Sequence, residues 1–304
     1  MQDDWKAQLG LRVPVVNAPM GGAAGGRLAA AVSAAGGLGM IGMGSSGTAE
    51  ALQRELALVP AGARVGIGMV DWVARGNPEM FDVAIDARPA LLSVSFGSDF
   101  DWVARARAAG IPTVTQVADV AEARVAHDAG VDVLVARGLE GGGHGRPLSS
   151  RDELLVSVLS VTDRPVLAAG AISDAEDVRR VLALGAAAVW VGTAFLLTTE
   201  ALTTPGARQA LLAATGSDTV LTRVFDRALG YSWPPDIPER VLANRFTARW
   251  HDQPPPFDEE LAGAELRAAI TRDDPAEQSV NAGVGVGHLR DGLSAADVVA
   301  MLTP

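Results

Sequence analysis

The chain has 304 residues, 48% of them hydrophobic and 20% charged, enough for a substantial core in one large domain or two small ones. Its formal charge of −11 argues against nucleic acid and anionic membranes as partners, because phosphate-rich surfaces reward clustered Lys and Arg. Cysteine is absent, which removes disulfides, a thiolate nucleophile and cysteine-ligated clusters, and fits a reducing compartment.

The opening "MQDDWKAQLG" is acidic and mixed, without the apolar stretch of a secretory signal, and no uncharged apolar run reaches the ~20 residues of a membrane span. A cytoplasmic protein is the expectation. Short apolar runs follow in order: "VPVVNAPM" (13–20), "GLGMIGMG" (37–44), "ARVGIGMV" (63–70), "ALLSVSF" (90–96), "IPTVTQV" (111–117), "VDVLVARG" (131–138), "RPVLAAGAI" (164–172) and "AAAVWVGTAF" (186–195). Between most of them lie alanine-rich stretches with helical spacing. In "ADVAEARVAHDAG", Val120, Ala123 and Ala126 share a stripe. In "SDAEDVRRVLALG", Ser173 or Asp174 can cap, acids fill the first turn, and Gly185 stops the helix. Eight buried-looking strands alternating with helices predict a parallel α/β sheet, and eight units in ~200 residues predict a (β/α)8 TIM barrel. Beyond Thr199 no further strand stands out. That part, with its Pro-rich turn "SWPPDIPERV" and linker-like "DQPPPFDEEL", reads as a C-terminal helical extension. The expected division is a barrel of residues 1–198 plus parts of 270–304, with 199–290 packed against it.

Barrel enzymes work at the C-terminal ends of their strands. There the chain places Ala18, Pro19 and Met20 after the first run, Gly66 and Gly68 in the third, and Gln116 at the end of the fifth. Gly138, Gly142, Gly143 and His144 follow the sixth, Gly170 and Ala171 end the seventh, and Gly192 and Thr193 end the eighth. The loops after strands seven and eight form the usual barrel phosphate site, where backbone N–H groups meet an anion, and Thr193 can add a hydroxyl. Glycines that simply permit tight turns are the alternative. His144, in "GLEGGGHG", could be a base, a metal ligand, a phosphate contact or an ordinary loop residue. No two histidines have ligand spacing and cysteine is lacking, so no metal centre is expected. His127 reads as solvated, His251 as surface or packing, and His288 as structural or at a rim. Asp99 and Asp101 read as helix caps, and Tyr231 and Trp233 as residues packing the tail on the barrel, with the lining of a substrate mouth as the alternative.

Longer segments carry a resemblance. "VPVVNAPMGGAAGGRLAAAVSAAGGLGMIG", "TQVADVAEARVAHDAGVDVLVARGLEGGGHG", "RPVLAAGAISDAEDVRRVLALGAAAVWVGTAFLLTTEA", "RVLANRFTARW" and "NAGVGVGHLRDGLSAADVVAML" together resemble the FMN-dependent nitronate monooxygenases, once called 2-nitropropane dioxygenases. Flavin-dependent enoyl-acyl-carrier-protein reductases and some quinone reductases share much of the pattern. The resemblance implies FMN as cofactor. Ala18, Pro19 and Met20 would lie along the isoalloxazine ring, Gly66 and Gly68 would clear space near it, and Gln116 would bond to it. Gly138, Gly142 and Gly143 would shape the loop, and Gly170, Ala171, Gly192 and Thr193 would hold the phosphate. His144 would be the catalytic base near the reactive edge, a task suited to imidazole because its ordinary pKa lies near neutrality. Three positions depart from the family pattern: Ala171 stands for a usual glycine, Arg137 for a common glutamine, and Val284 for a usual glutamine.

The expected reaction is oxidation of nitronates or nitroalkanes, such as propionate 3-nitronate, with O2. An NAD(P)H-dependent FMN reductase of enoyl thioesters or quinones is the second reading, and a non-catalytic barrel binding a phosphoryl ligand the third. A homodimer is a candidate assembly.

Overall fold

Eight parallel strands form the centre of the molecule: β1 (Val15–Asn17), β2 (Gly39–Met43), β3 (Val65–Val70), β4 (Leu92–Ser95), β5 (Thr113–Val117), β6 (Val133–Arg137), β8 (Val166–Ala169) and β9 (Ala188–Val191). The computed structural model describes residues 2–251 and 257–304, so part of the Pro-rich linker read at 252–261 lies outside the described residues. The strands run in the order β1-β9-β8-β6-β5-β4-β3-β2. The seam between β1 and β2 is joined by a parallel bridge, Val16 to Leu38. Asn17 reinforces that seam: its Oδ1 accepts from Met40 N at 2.8 Å and its Nδ2 donates to Met40 O at 3.1 Å. The strand ring is thereby closed into a TIM barrel, as predicted.

The strands form because nearly every residue in them is apolar or small and is buried on both faces, as all six residues of β3 are. Trp5 and Leu9, from the N-terminal helix Gln2–Leu9, pack with Val16, Leu38, Met40, Leu91, Val114 and Trp190 in one core cluster. A second cluster joins the strands to the surrounding helices. The helix Ala175–Ala183 starts as its sequence predicts: Asp174 accepts from the N–H groups of Glu176 and Asp177, and Gly185 follows with φ +106°. Ser173 instead donates its N–H to Asp177 Oδ2 at 2.8 Å.

The segment beyond Thr199 is largely helical, as expected, but not wholly so. It contains two further strands, β10 (Thr219–Thr222) and β11 (Glu239–Leu242), paired antiparallel. On its other side β11 pairs with β7 (Gly143–His144), a two-residue strand in the glycine-rich loop after β6. The antiparallel ladder thus joins a barrel loop to the tail. The last helix, Ala295–Leu302, returns to pack on the helices Gly26–Ala34 and Ala175–Ala183. No helix among the described residues is long and apolar enough to cross a membrane.

Candidate active site

A cavity of about 500 Å³ opens at the C-terminal ends of the barrel strands. It is lined by Ala18, Pro19, Met20, Gly68, Gln116, Gly142, Gly143, His144, Gly170, Ala171, Gly192 and Thr193, so the structure brings these sequence-predicted residues together. Gly138 stays outside the lining. It shapes the loop from beneath, its N–H bonded to Ala169 O at 2.9 Å and its carbonyl to Gly141 N at 3.1 Å. Gly66 and Val284 are also absent from the lining. A Cβ on Gly68 would overlap the ring of Pro19, and one on Gly142 would overlap the backbone of Ala282 and Gly283. Those two glycines are needed for close approach within the wall.

The backbone amides of Gly170, Ala171 and Gly192 make no hydrogen bond within the described residues. Thr193 Oγ1 accepts from Gly283 N at 3.0 Å, which leaves its own hydrogen free to donate. The buried hydroxyl of Thr203, also in the lining, has no partner. Unpartnered donors around a half-buried hollow suit an anionic group with many acceptor oxygens.

His144 lines the same cavity. Its Nε2 is 2.9 Å from Asp226 Oδ2, and its ring stacks on Trp233 with centroids 3.5 Å apart and planes at 4°. Trp233 is held in turn by an indole N–H bond to Ser45 Oγ at 2.9 Å. Asp226 comes from the helix Val224–Leu229, ended by Gly230 at φ +69°. Glu239 is the cross-strand partner of His144. Asp226 and Glu239 are almost fully buried, and donor atoms of the three side chains lie within 4.8 Å of one another. Burial, and then the charge of Asp226, hold Glu239 well above the usual carboxyl range, although Ser279 and Asn281 hydrogen-bond to it. No other trio of such donors occurs among the described residues. Nε2 is already engaged by Asp226, and Glu239 Oε2 accepts from Ser279 at 3.2 Å.

Arg137 ends β6 beneath the same loop. Its Nη2 donates to the carbonyls of Gly141, Gly142 and Gly143 at 2.9, 3.0 and 2.9 Å. Burial, and then the charge of Arg240, push it down to about 10, so it remains a cation at neutral pH. Trp72, Phe96, Tyr231 and Trp233 form an aromatic bank, with Phe96 and Trp233 edge-to-face at 5.1 Å. Tyr231 and Trp233, read from sequence as tail packing, both line the cavity as well.

Asp226 and Glu239 escaped sequence reading because they lie 82 and 95 positions from His144 in segments with no motif. The only local signal is a carboxylate set among apolar neighbours in "VFDRAL" and "ERVL". The other histidines stand apart: His127 bonds Thr162, His251 bonds Thr222, and His288 is exposed.

The model of the nitronate monooxygenase family matches residues 73–304. The nitronate monooxygenase of Paraburkholderia phytofirmans is 31% identical, covering 97% of this chain and 92% of its own. The chain belongs to the nitronate monooxygenase family. Solved structures agree. FabK from Thermotoga maritima superposes with a TM-score of 0.85 at 26% identity, covering 98% of this chain and 94% of its own. The nitroalkane oxidase from Streptomyces ansochromogenes gives 0.82 at 28% identity, with 97% and 96% covered. As a nitronate monooxygenase family member the chain is an oxidoreductase of a flavin-dependent family.

Proposed function

We propose that the chain is an FMN-dependent nitronate monooxygenase that oxidises nitronates and nitroalkanes with O2, using His144 as the base. The observation that carries this reading is the fixed imidazole of His144 on the wall of a cavity that also offers unpartnered backbone donors. In this reading Gly170, Ala171, Gly192 and Thr193 hold the flavin phosphate. Ala18, Pro19 and Met20 lie along the ring, with Gly68, Gln116, Gly142 and Gly143 around it. The flavin, when bound, supplies the redox step and the reaction with O2.

The chain's own residues then have two tasks. His144 takes the acidic α-hydrogen of a neutral nitroalkane: the C–H bond breaks, an N–H bond forms, and the electron pair passes to the nitro group as a nitronate. A substrate that arrives as nitronate needs only to be oriented. The aromatic bank excludes water from the substrate's alkyl part. The absence of cysteine supports a cytoplasmic setting for this reading.

Rapid anaerobic mixing tests the reading. Bleaching of the bound flavin by nitronate, with no fast bleaching by NADH or NADPH, is expected; fast bleaching by either nucleotide transfers the chain to the reductase reading. His144→Ala is expected to lower kcat on nitroalkane ~10²-fold or more. Full turnover of that variant on both nitroalkane and nitronate removes the base role.

A further inference from the structure

The surroundings of His144 specify more than its presence. Nε2 is occupied by Asp226, while Nδ1 has no hydrogen-bond partner among the described residues. Asp226 faces no Lys or Arg within ion-pair distance there, and Glu239 likewise has none. The groups packed around the trio from other elements are Tyr231 after the helix, Ser279 and Asn281 from the tail, and Trp233 against the ring. Arg137 lies below the loop with Nη2 directed at three carbonyls, and Arg240, next to Glu239, turns toward Leu139 O and Thr219. Two ionised carboxylates this close, buried and facing one neutral imidazole, would repel with no cation to offset them.

We propose that Asp226 is the positioning residue for His144, holding Nε2–H so that Nδ1 is the nitrogen that removes the substrate proton, while Glu239 stands beside them as a neutral carboxylic acid. The proposal rests on the reading of His144 as a base toward nitroalkanes. Before proton transfer the trio carries one negative charge, on Asp226. Afterwards the imidazolium formed at Nδ1 faces that carboxylate, and the trio is neutral. The substrate's proton is therefore taken up without creating an uncompensated buried charge.

The proposal separates substrates that a general structural role would not separate. Asp226→Asn presents an amide that can support the wrong tautomer. It is expected to lower kcat on a neutral nitroalkane ~10²-fold or more, with KM little changed and turnover of preformed nitronate within about threefold of the parent. Glu239→Gln, the uncharged isostere, is expected to keep nitroalkane kcat within about threefold at neutral pH. Equal losses of Asp226→Asn on both substrates, or none on nitroalkane, overturn the positioning role. A loss of ~10²-fold in Glu239→Gln overturns the neutral acid.

The tautomer can be read without turnover. Long-range 1H–15N correlation on 15N-histidine protein, with His144 assigned by its loss in His144→Gln, should show hydrogen on Nε2 and none on Nδ1. Hydrogen on Nδ1 overturns the proposal even if nitronate is oxidised. Hydrogen on Nε2 in a protein that turns over neither substrate keeps the Asp226–His144 arrangement and removes the nitronate reading instead.

Discussion

Ala171 takes φ +47° and Phe96 φ +74°, in the left-handed region that side chains with a Cβ disfavour. Four non-glycine residues among those described do so, and these two of the four line the cavity. Sequence comparison of the motif marks Ala171 as standing for a usual glycine; only the backbone angle explains what that exchange does. Ala171→Gly is expected to stabilise the fold by about 0.5–1 kcal/mol, the steric relief outweighing the added freedom of the unfolded chain. A urea midpoint that moves down removes this account. Glu239 is the other residue whose environment is invisible in sequence. Its raised pKa means that the folded chain keeps a proton that the unfolded chain loses near 4.5. That contribution to stability is present below the unfolded value and is lost as pH climbs toward the folded one. The unfolding free energy of Glu239→Gln should therefore gain on the parent steadily as pH rises above 4.5. A difference that stays flat over that range shows Glu239 ionising normally.

At the scale of elements, the barrel strands were legible because each is a Val-, Ile- or Gly-rich run between turn signals. β7, β10 and β11 were not, since Gly-His, Thr-Val-Leu-Thr and Glu-Arg-Val-Leu mix polar with apolar residues and form no such run. Their pairing is nonetheless what places His144 opposite Glu239. The loop leading into β7 has three consecutive glycines, 141–143, and so little rigidity of its own. Its order comes from outside: Arg137 ties the three carbonyls together from one side, and β11 pairs with Gly143 and His144 from the other. Arg137, which stands where the family resemblance leads one to expect glutamine, is thus a clamp on the loop. Arg137→Ala is expected to speed amide hydrogen exchange across 139–145 while leaving the barrel strands protected, and to lower nitroalkane kcat together with it. Unchanged exchange in the loop would show that the β11 pairing suffices and that Arg137 does not hold it.

The whole molecule is acidic, at −11, and its cavity follows suit. Of the charged side chains in the lining, Arg137 is the single cation, against Asp226 and Glu239. Arg137 is turned to the loop carbonyls and pairs with neither carboxylate, so Asp226 keeps its negative charge, and a cofactor phosphate would add to it. One anionic head group can be carried by unpartnered backbone donors and the remaining field of Arg137. A second anionic group on the same substrate would find the aromatic rings of Phe96, Tyr231 and Trp233 in place of a cation. Desolvating that group without a partner raises its cost, and like-charge repulsion in a half-buried cavity adds to it. Sequence resemblance alone named propionate 3-nitronate as an example; the cation-poor lining argues for nitronates whose other end is an uncharged alkyl chain. The expected outcome is a kcat/KM at least on the order of tenfold higher for propyl-1-nitronate than for propionate 3-nitronate, with the difference in KM. Adding salt should narrow the gap by screening the repulsion at the cavity mouth. Equal kcat/KM values at low ionic strength would mean that a cation reaches the carboxylate, and Arg137, as the single candidate in the lining, would then be the residue to substitute.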